Sequence, residues 1–71
     1  MQQLTIKKQF IDVLTHVKNA LVNLREDVNK YTRQFEAVED MEKCATLDGE
    51  YIDISDAITA IDEALRGARY L

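Results

Sequence analysis

The chain has no proline and no tryptophan, and only two glycines, one cysteine and one histidine among its 71 residues. Without proline, nothing in the covalent chain forces a helix to stop. A single cysteine, Cys44, rules out a disulfide within the chain and fits a reducing compartment. Gly49 and Gly67 stand alone, so no glycine-rich loop can cradle a phosphate. His16 falls on the polar side of the apolar pattern described below. Cys44 would lie far along the same helix, so the two cannot form a thiol–imidazole pair. No nucleophile, base and orienting group can be assembled, and neither catalytic residues nor an enzyme are expected.

Long apolar runs are missing too. No stretch approaches the roughly 18 residues of a membrane helix, and no basic segment followed by an apolar one marks a secretory signal. The expectation is a soluble cytoplasmic protein without membrane contact. Metal chemistry also lacks a frame. Asp48, Glu50, Asp53 and Asp56 are dense enough to suggest calcium. The alternating acids and closing glutamate of a calcium loop are absent, however, and helix capping accounts for these acids. Glu36, Glu39 and Asp40 lack the Glu-x-x-His partners of a di-metal bundle. No metal and no cofactor are expected.

What the chain does have is helical periodicity. Phe10, Leu14, Val17, Leu21, Leu24, Val28, Tyr31, Phe35 and Val38 follow alternating steps of four and three, a repeat of 3.5 residues. On a helix they form one stripe. Ile11, Val13 and Ala20 widen it near its start. After Val38 the phase slips, because Met41 and Ala45 continue one residue out of step with the next position, Glu42. A second stripe, Ile54, Ile58, Ile61, Leu65 and Ala68, is flanked by Ala57, Ala60, Ala64 and Gly67. Between the stripes lies TLDGEYIDIS, with an Asp-Gly pair where a helix would end in the left-handed conformation. Asp53 or Ser55 would cap the next helix, and Tyr51 with Ile52 would plug the bundle end.

This reading gives an all-α helical hairpin in a single domain, residues 1–71. It comprises a long helix over about 4–46, a turn over about 47–53 and a short helix over about 54–70. A three-helix monomer with a kink near 23–29 is the alternative. The unequal lengths imply that the short helix covers only about Arg25 to Ala45. Phe10, Ile11, Val13, Leu14, Val17, Leu21 and Leu24 would be left in water, each losing about 1.5–3 kcal/mol of burial. Pairing two chains through these residues, as an antiparallel homodimeric four-helix bundle, removes that loss. They are the expected dimer interface.

Charge is unevenly placed in a chain of net charge −4. Six cations against three acids leave residues 1–33 at +3, and three cations against ten acids leave residues 34–71 at −7. The acidic half disfavours direct nucleic-acid binding. With no site for chemistry, the sequence implies a small regulatory or adaptor protein that binds an unidentified protein partner. Its candidate surface is Glu36, Glu39, Asp40 and Glu42, with Asp53, Asp56, Asp62 and Glu63 at the hairpin end. The alternative is an acidic inhibitor, mimicking nucleic acid, that occupies the basic groove of a DNA-binding protein. Such a compact chain suits regulatory genes of the kind carried by phages.

Overall fold

The computed structural model describes residues 2–71, with side-chain surroundings from Leu4 onward. It is an antiparallel helical hairpin. Helix α1 runs Gln2–Ala37 and helix α2 runs Met41–Ala68, and there is no strand among the described residues. The hairpin is a thin rod with principal extents of 57 × 14 × 10 Å.

The turn corrects the expected boundaries. It lies at Val38–Asp40 rather than at 47–53, so the long helix stops at Ala37 instead of 46 and the short helix is not short. Three features end α1 there. Glu39 takes a left-handed backbone with φ of 58°. The Glu39 N–H donates to the Glu36 carbonyl (3.0 Å), and the Asp40 N–H reaches back to the Phe35 carbonyl (2.9 Å). Together these bonds close the last turn as a Schellman motif and satisfy carbonyls that a helix end leaves open. Asp40 then starts α2: its Oδ1 accepts from the Lys43 N–H at 3.2 Å. Glu42 follows in the first turn, where the helix dipole favours an acid. The phase slip after Val38 is therefore the hairpin turn itself.

TLDGEYIDIS lies inside α2. Gly49 is helical, with no positive φ, and a Cβ placed on it would meet nothing within 4 Å. Asp53 and Ser55 cap nothing, and Tyr51 and Ile52 are mid-helix rather than at a bundle end. Helix α1 runs unbroken through 23–29, so the kinked three-helix alternative fails as well.

At 1.5 Å per residue, 36 and 28 residues give helices of about 54 and 42 Å. Contacts across the hairpin fix the register. Lys18 pairs with Asp62, Arg25 with Ser55 and Tyr51, and Cys44 with Thr32. Facing residue numbers thus add to between 76 and 80. The C-terminal end of α2 at Ala68 accordingly stands opposite residues 8 to 12 of α1. Coverage of α1 extends far beyond the expected Arg25–Ala45, and only its first two turns project past α2.

Candidate functional site: an apolar side of the hairpin

Helix α2 presents one unbroken row to α1: Cys44, Leu47, Tyr51, Ile54, Ile58, Ile61, Leu65 and Ala68, all buried or half-buried and spaced by threes and fours. On α1 the inward residues are Ile11, Leu14, Lys18, Leu21, Arg25, Val28, Thr32 and Phe35, with Lys7 near the open end and Val22 beside Lys18 and Arg25 also half-buried. The row Leu14, Leu21, Val28 and Phe35 is the expected one. The second inward row is Ile11, Lys18, Arg25 and Thr32, mostly polar. It takes the place expected of Phe10, Val17, Leu24 and Tyr31, which remain 43, 38, 47 and 50% exposed.

The polar row fits beside the seam because its long side chains reach outward. Lys18 Nζ lies 2.6 Å from Asp62 Oδ1. Arg25 donates to Ser55 Oγ at 3.4 Å, and its guanidinium stands 5.7 Å over the Tyr51 ring. Methylene stems cover apolar surface while the charged heads stay wet. Both members of the Lys18–Asp62 pair are over a third exposed, so the bridge contributes little stability.

Those contacts mark one flank of the seam as polar. The other flank is apolar. On α1 it carries Phe10, Val17 and Leu24, with exposed Ile6, Val13 and Ala20 beside them. On α2, Ala57 and Ala64 lie on the side of the seam away from Ser55 and Asp62, with Ala60 and Gly67 next to them. No charged residue interrupts this stretch of α1, and on α2 Asp56 and Glu63 border it on the far side of Ala60 and Gly67. Charges return on this flank only toward the turn, at Asp27, Lys43, Glu50 and Asp53.

The seven residues expected at a dimer interface therefore divide. Ile11, Leu14 and Leu21 are half-buried in the seam between α1 and α2. Phe10, Val13, Val17 and Leu24 are exposed on the apolar side. The four small residues that flank the second stripe in the sequence, Ala57, Ala60, Ala64 and Gly67, form the α2 part of this side. Their signal was the spacing of Ala57, Ala60, Ala64 and Gly67 itself.

The acidic residues divide too. Glu36, Glu39, Asp40 and Glu42 gather at the turn, where Asp40 caps α2 and its Oδ2 lies 3.4 Å from Lys43 Nζ. Asp53, Asp56, Asp62 and Glu63 do not sit at the hairpin end. They are spread along α2, and Asp62 is taken by Lys18.

Cys44 is 4% exposed and its thiol donates to the Thr32 carbonyl at 3.6 Å. Burial pushes this thiol above its ordinary pKa, and the carboxylates of Glu36, Asp48 and Asp40 push the same way. It is a packing residue in a setting opposite to the one that activates a thiolate. Among the described residues, no group of three or more His, Cys, Asp or Glu side chains is placed to hold a metal ion. No helix among them is long and apolar enough to cross a membrane. Two shallow depressions line the rod, one among Lys18, Asp62, Leu65, Arg66 and Arg69, the other among Leu4, Thr5, Lys8, Gln9 and Asp12. Both are wide open.

No family model matches the chain, and comparison with curated proteins and with solved structures finds no significant match.

Proposed function

We propose that the chain is a small non-catalytic interaction protein whose working unit is a homodimeric helical bundle, with its acidic outer surface presented to a protein partner. The observation that carries this reading is the uncovered row of Phe10, Val17, Leu24 and Tyr31, at heptad spacing beside a seam that is already filled. A helix facing water on that side has no use for such a row, whereas a helix packed between two neighbours does. These side chains keep 38–50% of their surface exposed, so covering the remainder recovers roughly half of the ~1.5–3 kcal/mol that full burial is worth. Among the described residues, by contrast, the inner core buries only Val28, Cys44, Ile58 and Ala68 to below a tenth of their surface.

Once the apolar side is occupied, charged and polar residues dominate what remains outward, with Met41 and Ile52 among the exposed apolar exceptions, and the turn end bears the densest charge. A partner with a basic surface fits there. The acidic-inhibitor alternative has less support, because the acids form separate groups along the rod instead of one continuous strip.

Light scattering at micromolar concentration tests the reading. The wild-type chain should weigh twice 8.2 kDa, and Val17→Asp should weigh 8.2 kDa with its helical circular dichroism retained. A wild-type monomer with a cooperative melting transition overturns the proposal. Partner capture should weaken when Glu36 and Glu42 are both replaced by lysine. Capture unchanged by that reversal would remove the acidic surface from the reading.

A further inference from the structure

We infer that the apolar side of the hairpin is covered by a second copy of the chain lying antiparallel to the first, so that the turn of each stands toward the open end of the other. The inference rests on the homodimer reading and adds the face, the direction and the level of the two-fold axis.

Area comes first. A compact monomer of 8.2 kDa exposes about 4,500 Å² by the usual size scaling. This chain exposes 5609 Å². The excess, about 1,100 Å², exceeds the ~800 Å² that each partner loses in a standard stable interface. One further copy of the same size on the apolar side is enough to absorb it.

The face is also suited to a two-fold axis. Its charge-free stretch on α1, Phe10 to Leu24, is centred on Val17. From the register of the hairpin, Val17 stands level with residues 59 to 63 of α2. That is also the centre of the stretch from Ala57 to Ala64. An axis across the rod at this level places Val17 against Val17 of the second copy, and Phe10 against its Leu24. It also brings the alanines of the two α2 helices together, where small side chains allow close approach. An isologous interface requires this kind of self-matching.

Charge sets the direction. The open end, residues 4–12 and 66–71, carries Lys7, Lys8, Arg66 and Arg69 against Asp12, a balance of +3. The turn end, residues 34–45, carries Glu36, Glu39, Asp40 and Glu42 against Lys43, a balance of −3. Turns set side by side would bring like charges together. Reversing one copy keeps the two acidic turns apart and brings Lys7 and Lys8 of each copy to the level of Asp27 and Glu26 of the other. Complementary fields of this kind choose orientation more than they add affinity.

Cysteine cross-linking in the full chain tests this, with Cys44→Ala as the background. Val17→Cys should form a disulfide dimer under mild oxidation. Phe10→Cys and Leu24→Cys should each cross-link poorly alone, and at least tenfold better when the two variants are mixed. If the chain is dimeric by light scattering but Val17→Cys joins instead to Ala60→Cys or Ala64→Cys of a second copy, the copies are parallel. In that case the inference fails while the dimer reading survives. A monomeric wild type sinks both. Each introduced cysteine is at an exposed or half-buried helical position, and circular dichroism of the reduced variants, each compared with the Cys44→Ala background, shows whether folding is intact.

Discussion

Glu39 holds a backbone conformation that its own side chain opposes. A left-handed residue with a Cβ costs roughly 1–2 kcal/mol relative to the right-handed form, and glycine escapes most of this. With φ at 58°, Glu39→Gly should stabilise the hairpin by about 1 kcal/mol. Urea denaturation should show a raised midpoint at unchanged slope. Cys44 makes a second testable statement. Its folded thiol holds its proton more tightly than the ordinary value of 9.0. The folded state therefore binds more protons than the unfolded state once pH passes that value, and stability falls as pH rises. The contribution is complete below about pH 9 and is lost as pH climbs through the folded pKa. The wild-type chain should accordingly lose stability relative to Cys44→Ala between neutral pH and pH 10. A difference that stays flat would show that the thiol is not shielded as described.

At the scale of the element, α2 is continuous through a glycine that looked like a stop. Because Gly49 is helical and a Cβ there meets open space, Gly49→Ala should stabilise the hairpin by about 1 kcal/mol in thermal or urea denaturation. Had Gly49 formed a left-handed turn, the same change would destabilise, so the sign of the effect separates the two turn positions. The repeat in α1, the class of fold and the hairpin topology were readable from spacing alone. The turn was not, because local chemistry pointed both ways. Asp48-Gly49 carries the usual signature of a break, while Val38-Glu39-Asp40 has none except the capping aspartate. The deciding information was longer in range: the row from Ile54 to Ala68 extends back in phase through Tyr51 and Leu47 to Cys44. The orientation of α1 was hidden for a related reason. Lys18, Arg25 and Thr32 read as outward residues, yet Asp62, Ser55 and Tyr51 on α2 provide partners that draw the first two beside the seam. One row of apolar residues was thereby left for another neighbour.

For the whole molecule, the lack of any fully buried side chain among the described residues sets the terms. Two helices laid side by side have no interior beyond their shared seam, and a chain of this size is marginal alone. If a second copy covers the apolar side, association is linked to folding, and the melting temperature should rise with protein concentration. Calorimetry over a hundredfold range of concentration measures this; a constant melting temperature would identify a self-sufficient monomer. The three-residue turn has another consequence, for the way the hairpin responds to force. Both helices leave the turn in the same direction, so Gln2 and Leu71 belong to the same end of the rod. A load drawn across that end would not shear the seam but peel it. It would open the level of Ile11 and Ala68 first and that of Phe35 and Cys44 last, one rung at a time. A lone hairpin of this shape is a zipper. A reversed second copy, with its closed end lying toward the first one's open end, would act as the clasp.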